Sequence, residues 1–123
     1  MSPELPKNYA PEFVYRLATT AEWRIAQDAG VVPRRDIDVR DGYMHLSTRP
    51  QVLETARLHF SGVNDLLTLE IPLAPIGDLV KFELAPKRGE TFPHLYSSLR
   101  REYVRAAIKL ELSEYGFVFG AAL

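Results

Sequence analysis

The chain has 123 residues, enough for one hydrophobic core and one domain. Fifteen Lys and Arg against sixteen Asp and Glu leave a net charge of −1, so no global field draws it to nucleic acid or to an anionic membrane. It contains no cysteine, which excludes a disulfide scaffold, a thiolate metal site and a cysteine nucleophile, and fits a reducing compartment.

No apolar run approaches the roughly 18 residues of a membrane-spanning helix, and MSPELPKNYAPEF lacks the apolar stretch of a secretory signal. The expectation is a cytoplasmic protein with a flexible Pro-rich leader over 1–12 and a single domain over 13–123. Phe13 to Leu17, aromatic and β-branched, predicts a strand. Thr20 then stands before AEWRIAQDAG as a helix N-cap, with Glu22 in the first turn and Gly30 as the stop. Trp23, Ile25, Ala26 and Ala29 form its expected apolar stripe. VVPRRDIDVRDG reads as a polar loop ending in an Asp-Gly turn, and Tyr43 to Leu46 as a strand. Ser47 or Thr48 caps a second helix that begins near Pro50 and buries Val52, Ala56, Leu58 and Phe60. The remainder predicts strands at Asp65–Ile71, Leu79–Leu84, His94–Tyr96, Val104–Leu112 and Phe117–Phe119. With helices early and strands late, the fold class is α+β: mainly antiparallel sheets with two helices in the N-terminal half.

Glycine-rich phosphate loops, HExxH and EF-hand patterns are missing, and the three histidines are too scattered to predict a metal site. His59 sits in the second helix and reads as a surface or structural residue. His45 and His94 each follow a turn signal, Asp41-Gly42 and Phe92-Pro93. Residues two apart on a strand share a face, so His45 aligns with Tyr43 and Ser47, and His94 with Tyr96. Two such strands can line one groove with imidazoles and hydroxyls, or the pair can be core histidines held by hydrogen bonds. His45-Leu46-Ser47 also satisfies one half of a two-histidine phosphoesterase pattern, with imidazoles as acid and base. The second half, His94-Leu95-Tyr96, departs from it at the tyrosine. Glu83 is a further candidate acid in the groove.

The stretches VYRLATTAEWRIAQDAG, DGYMHLSTRPQVLETARLHF, DLLTLEI, VKFEL and FPHLYSSL resemble, in order and spacing, the DUF952 family of small bacterial proteins. That resemblance covers about Phe13 to Tyr103 and implies a distant similarity to the ADP-ribosyltransferase superfamily, whose members bind NAD in a cleft between two small sheets. On that basis His45 and His94 are the expected catalytic residues, and Glu83 joins them as a candidate by strand order only. The resemblance also implies cofactor contacts from Arg16, Tyr43, Ser47, Thr48 and Tyr96, with no metal. Arg16 stands where family members often carry histidine, and the transferases' glutamate has no clear counterpart. The implied activity is an NAD-dependent ADP-ribosyl transfer or an RNA 2′-phosphotransferase-like reaction. The competing expectation is a non-catalytic module that binds a small molecule or a protein and uses its histidines structurally.

Overall fold

Seven short strands, rich in β-branched and aromatic residues, build two antiparallel sheets in the computed structural model, which describes residues 11–123. The chain opens with β1 (Phe13–Thr19), α1 (Thr20–Ala29), α2 (Asp36–Asp41), β2 (Met44–His45) and α3 (Arg49–His59). There follow β3 (Leu66–Pro72), a 3-10 turn, β4 (Val80–Ala85), β5 (Glu90–Leu95), a second 3-10 turn, β6 (Ala106–Ser113) and β7 (Gly116–Ala122). The larger sheet has the order β1-β3-β6-β7 and the smaller one β2-β5-β4. The leader expected over 1–12 falls, through residue 10, outside the described residues; Glu12 already accepts a bond from the Leu73 amide at 3.0 Å.

Strand alternation divides the core. Val14 and Ala18 of β1 face the small sheet and pack with Trp23, Met44, Leu69, Ile71 and Leu95. Tyr15 and Leu17 face the other way and pack with Val52 and Ala56 of α3, Leu110 and Phe117. The large sheet is thus covered by α3 on one face, and by α1 and the small sheet on the other.

Several sequence expectations shift. The cap of α1 is Thr19, whose hydroxyl takes the Glu22 amide while Glu22 bonds back to the Thr19 amide. Ile25 and Leu58, expected inside, are 51% and 45% exposed, because each helix presses only a narrow line against its sheet. The stretch read as a polar loop contains α2, a third helix in the N-terminal half. The His94 strand starts earlier than expected, at Glu90, and runs through Pro93. A proline is tolerated in this middle strand because it need only accept: its carbonyl takes the Leu46 amide at 3.1 Å.

After β2 the chain crosses between the sheets. His45 pairs with His94 on β5, and two residues later Ser47 forms a bridge with Tyr15 on the edge of the large sheet. Thr48 then starts α3. This crossing sets the positions of every residue considered next.

Candidate functional site

The outer edge of β2 is closed by side chains rather than by another strand. Arg16 Nη1 donates to the His45 carbonyl at 3.1 Å, and the His45 amide donates to Asp38 Oδ1 at 3.0 Å. Arg16 and Asp38 are joined bidentately at 2.9 and 2.7 Å, and are 1% and 0% exposed. The pair therefore stands in for a neighbouring strand, satisfying both backbone groups of His45. Asp38 also accepts from the Arg35 amide at 2.7 Å and lies 2.8 Å from His45 Nδ1. Burial alone would push the Asp38 carboxyl up. The His45 and Arg16 hydrogen bonds outweigh it and hold the group far below the usual carboxylate range. Arg16, expected at a phosphate, is enclosed here, and its Nε has no partner among the described residues.

His45 is fastened at its other nitrogen too, since Nε2 lies 2.9 Å from Asp41 Oδ2. Both ring nitrogens of His45 therefore face carboxylates of α2. Two-histidine acid–base catalysis needs a free nitrogen on each ring, and His45 offers none. Its cross-strand partner differs. His94, 6% exposed, holds Nδ1 at 2.9 Å from Glu83 Oε1, and the same oxygen accepts the Tyr96 hydroxyl at 2.5 Å. Those two bonds hold Glu83 below the usual range, and the carboxylate pushes the Tyr96 phenol up to about 12. Tyr43 stacks on His94 at 3.9 Å with planes 12° apart, so the ring face expected for a nicotinamide is covered. The fold thus brings His45, His94, Glu83, Tyr43 and Tyr96 together on the face of the small sheet turned away from the core.

Ser47 and Thr48 are not part of that cluster. Thr48 lines an open cleft of about 920 Å³ at the junction of β1, the start of α3 and the β4–β5 hairpin. Phe13, Tyr15, Phe82 and Leu84 supply its apolar walls; Arg49, Gln51 and Glu90 supply its polar side. Gln51 ties the helix to the hairpin. Its amide donates to the Thr91 carbonyl at 2.8 Å and lies 3.4 Å from Glu90, while its carbonyl oxygen takes the Thr48 amide at 3.0 Å. The Arg49 guanidinium is 4.2 Å from the Phe119 ring centroid and its Nη1 is 3.4 Å from the Tyr15 hydroxyl. Among the described residues no carboxylate pairs with it. Burial and Glu70, which accepts the Tyr15 hydroxyl at 2.9 Å, raise that phenol against the opposing pull of Arg49.

Phe82, Leu84 and Thr91, which face the cleft, alternate along their strands with Glu83 and His94. The cleft and the histidine cluster therefore lie on opposite faces of the small sheet. Sequence spacing missed Asp38, Asp41, Arg49 and Gln51. The capping pattern at Thr48 was the one local signal near the cleft. Among the described residues no group of side chains is arranged to hold a metal ion, and no helix is long and apolar enough to cross a membrane.

Residues 17–107 match the family model described as "Protein of unknown function (DUF952)". The crystal structure of protein CC0527 from Caulobacter crescentus is similar at 33% identity, covering 85% of this chain and 91% of that one with a TM-score of 0.77. Its solution structure gives 33% identity, 86% and 90% coverage and a TM-score of 0.76. EcPltA shares the fold at 12% identity, with a TM-score of 0.55 over 91% of this chain and 84% of its own. No curated protein matches the sequence.

Proposed function

We propose, for a chain that belongs to the DUF952 family, that the cleft at the start of α3 binds NAD or a related nucleotide. The observation that carries this reading is Arg49: a guanidinium positioned by aromatic contacts, without a carboxylate partner among the described residues, at a helix N-terminus opening on a cleft of about 920 Å³. That volume is in the range of small-molecule sites, roughly 300–1,000 Å³. The amides at the start of α3 are largely spoken for, since Gln51 Oε1 takes the Thr48 amide, the Gln51 amide bonds to the Thr48 carbonyl and Pro50 has no N–H, so the helix contributes the positive end of its dipole rather than free donors. The diphosphate is assigned to the Arg49 guanidinium, and the flat ring systems to the walls of Phe13, Tyr15 and Phe82. Glu12 and Glu90, the latter beside Gln51, are the carboxylates lining the cleft for ribose hydroxyls. Thr48 keeps the cofactor role expected for it. Arg16 contributes by holding β2 in place rather than by touching phosphate. For ADP-ribosyl or phosphoryl transfer, Glu12 and Glu90 are the acidic groups that line the cleft.

The test is an NMR titration of the full chain with NAD, ADP-ribose and nicotinamide separately. Saturable shifts at Tyr15, Thr48, Arg49, Gln51 and Thr91 are expected with the first two, and Arg49→Gln should weaken binding about tenfold, a loss of about 1.4 kcal/mol. Flat responses to both nucleotides at several times about 1 mM, where binding is worth only about −4 kcal/mol, would remove the proposal.

A further inference from the structure

We infer that the outer face of the small sheet is a separate proton-transfer site, with His94 as its base, Glu83 as the positioning residue and a small oxyanion-bearing molecule as its ligand. The two paired histidines show the contrast that supports this. His45 has a carboxylate at each ring nitrogen, as expected for an imidazole that fastens one element to another. His94 has one at Nδ1 alone. Among the described residues Nε2 of His94 has no hydrogen-bond partner, and it is not one of the fully sealed unpartnered atoms, which are Arg16 Nε and Thr68 Oγ1. A carboxylate on Nδ1 fixes the tautomer that leaves the Nε2 lone pair free and steadies the ring when it takes a proton. Tyr43 stacks on one ring face, and Tyr96, on the same glutamate oxygen, prevents Glu83 from swinging away.

The ligand class follows from Lys81. It is the direct partner of His94 across β4 and β5, so both side chains point to the same face. Its ammonium lies 5.0 Å from the Tyr96 ring centroid and forms no ion pair among the described residues. A cation on the same face of the sheet as an imidazole nitrogen without a partner fits a ligand that carries an oxyanion next to an acidic O–H or C–H. In the step, that proton passes to Nε2, the ligand keeps the bonding electron pair, and the Nδ1 proton stays on the bond to Glu83. This site lies across the sheet from the nucleotide cleft and stands or falls independently of it.

Diethyl pyrocarbonate tests the arrangement without a known substrate, since an unprotonated imidazole nitrogen takes its ethoxycarbonyl group and expels ethyl carbonate. Mass spectrometry of the treated full chain reads all three histidines, and exposed His59 is the internal reference. His94 should react at least as fast as His59 in spite of its burial. His45 should react about tenfold more slowly, since a nitrogen must first leave a charge-assisted bond. Glu83→Gln should lower the His94-to-His59 ratio severalfold, and Glu83 is partly exposed on an edge strand, where the change is compatible with folding. Excess inorganic phosphate should protect His94 but not His59, with protection lost in Lys81→Gln. An unreactive His94 beside a reactive His59 would overturn the base assignment. An unchanged ratio in Glu83→Gln would overturn the positioning role, and equal phosphate effects on both histidines would overturn the ligand class.

Discussion

Arg16 and Asp38 do at β2 what a neighbouring strand would otherwise do. Removing one partner leaves the other charge buried and the edge of His45 unsatisfied, so Asp38→Ala should lower unfolding stability by about 3–5 kcal/mol, measured by urea titration. The double change Arg16→Met with Asp38→Leu removes both charges together and should cost less than Asp38→Ala alone. At the cluster, the Glu83 carboxylate accounts for the raised phenol of Tyr96. Followed by NMR of the tyrosine ring carbons, Tyr96 should titrate near 12, and Glu83→Gln should return it toward the ordinary value of about 10. A Tyr96 titration that ignores this substitution would mean the bond does not hold in solution.

Asp38 reaches its place only because α2 exists, and α2 is where sequence reasoning failed. Its six residues, DIDVRD, are too few for a visible apolar period, and Ile37 and Val39 are both exposed. The work of this helix is electrostatic: it presents Asp38 and Asp41 to the two nitrogens of His45. Local capping and alternation did reveal α1, α3 and most strands, and also the shared character of His45 and His94. They could not reveal that Arg16 meets Asp38, because those residues are 22 apart and are joined only by the crossing of β1 and β2. Nor could they show that the cleft and the histidines occupy opposite faces, since register across β4 and β5 decides that. The end of α2 can be tested directly. Gly42 has φ +81° with open space where a Cβ would go, so Gly42→Ala meets backbone strain but no clash. It should cost about 1–2 kcal/mol and shift the His45 ring signals, because the Asp41 carboxylate moves with the turn.

Across the whole molecule the sheets have different stabilising chemistry, and pH separates them. The large sheet is held by apolar contacts on both faces, with Val14, Leu69 and Ile71 on one and Tyr15, Val52 and Phe117 on the other. The small sheet depends at its β2 edge on ionised Asp38. Glu22 is a second lowered carboxyl: burial opposes its ionisation, but the Arg35 and Thr19 hydrogen bonds prevail. Asp41, Glu54 and Glu83 are also lowered, but they are solvent-screened and contribute little. For a carboxyl lowered in the folded state, the unfolded chain binds more protons as pH falls through about 4, so stability declines on the acid side. Full stability should therefore hold above about pH 5 and fall progressively below it, and the loss due to Asp38 should continue beyond the ordinary carboxylate range. Urea midpoints measured from neutral to strongly acidic pH would show this slope in the natural chain and a shallower one in the Arg16→Met, Asp38→Leu chain. Equal slopes would mean that the acid sensitivity comes from elsewhere and that the Arg16–Asp38 pair does not govern how the β2 edge responds to acid.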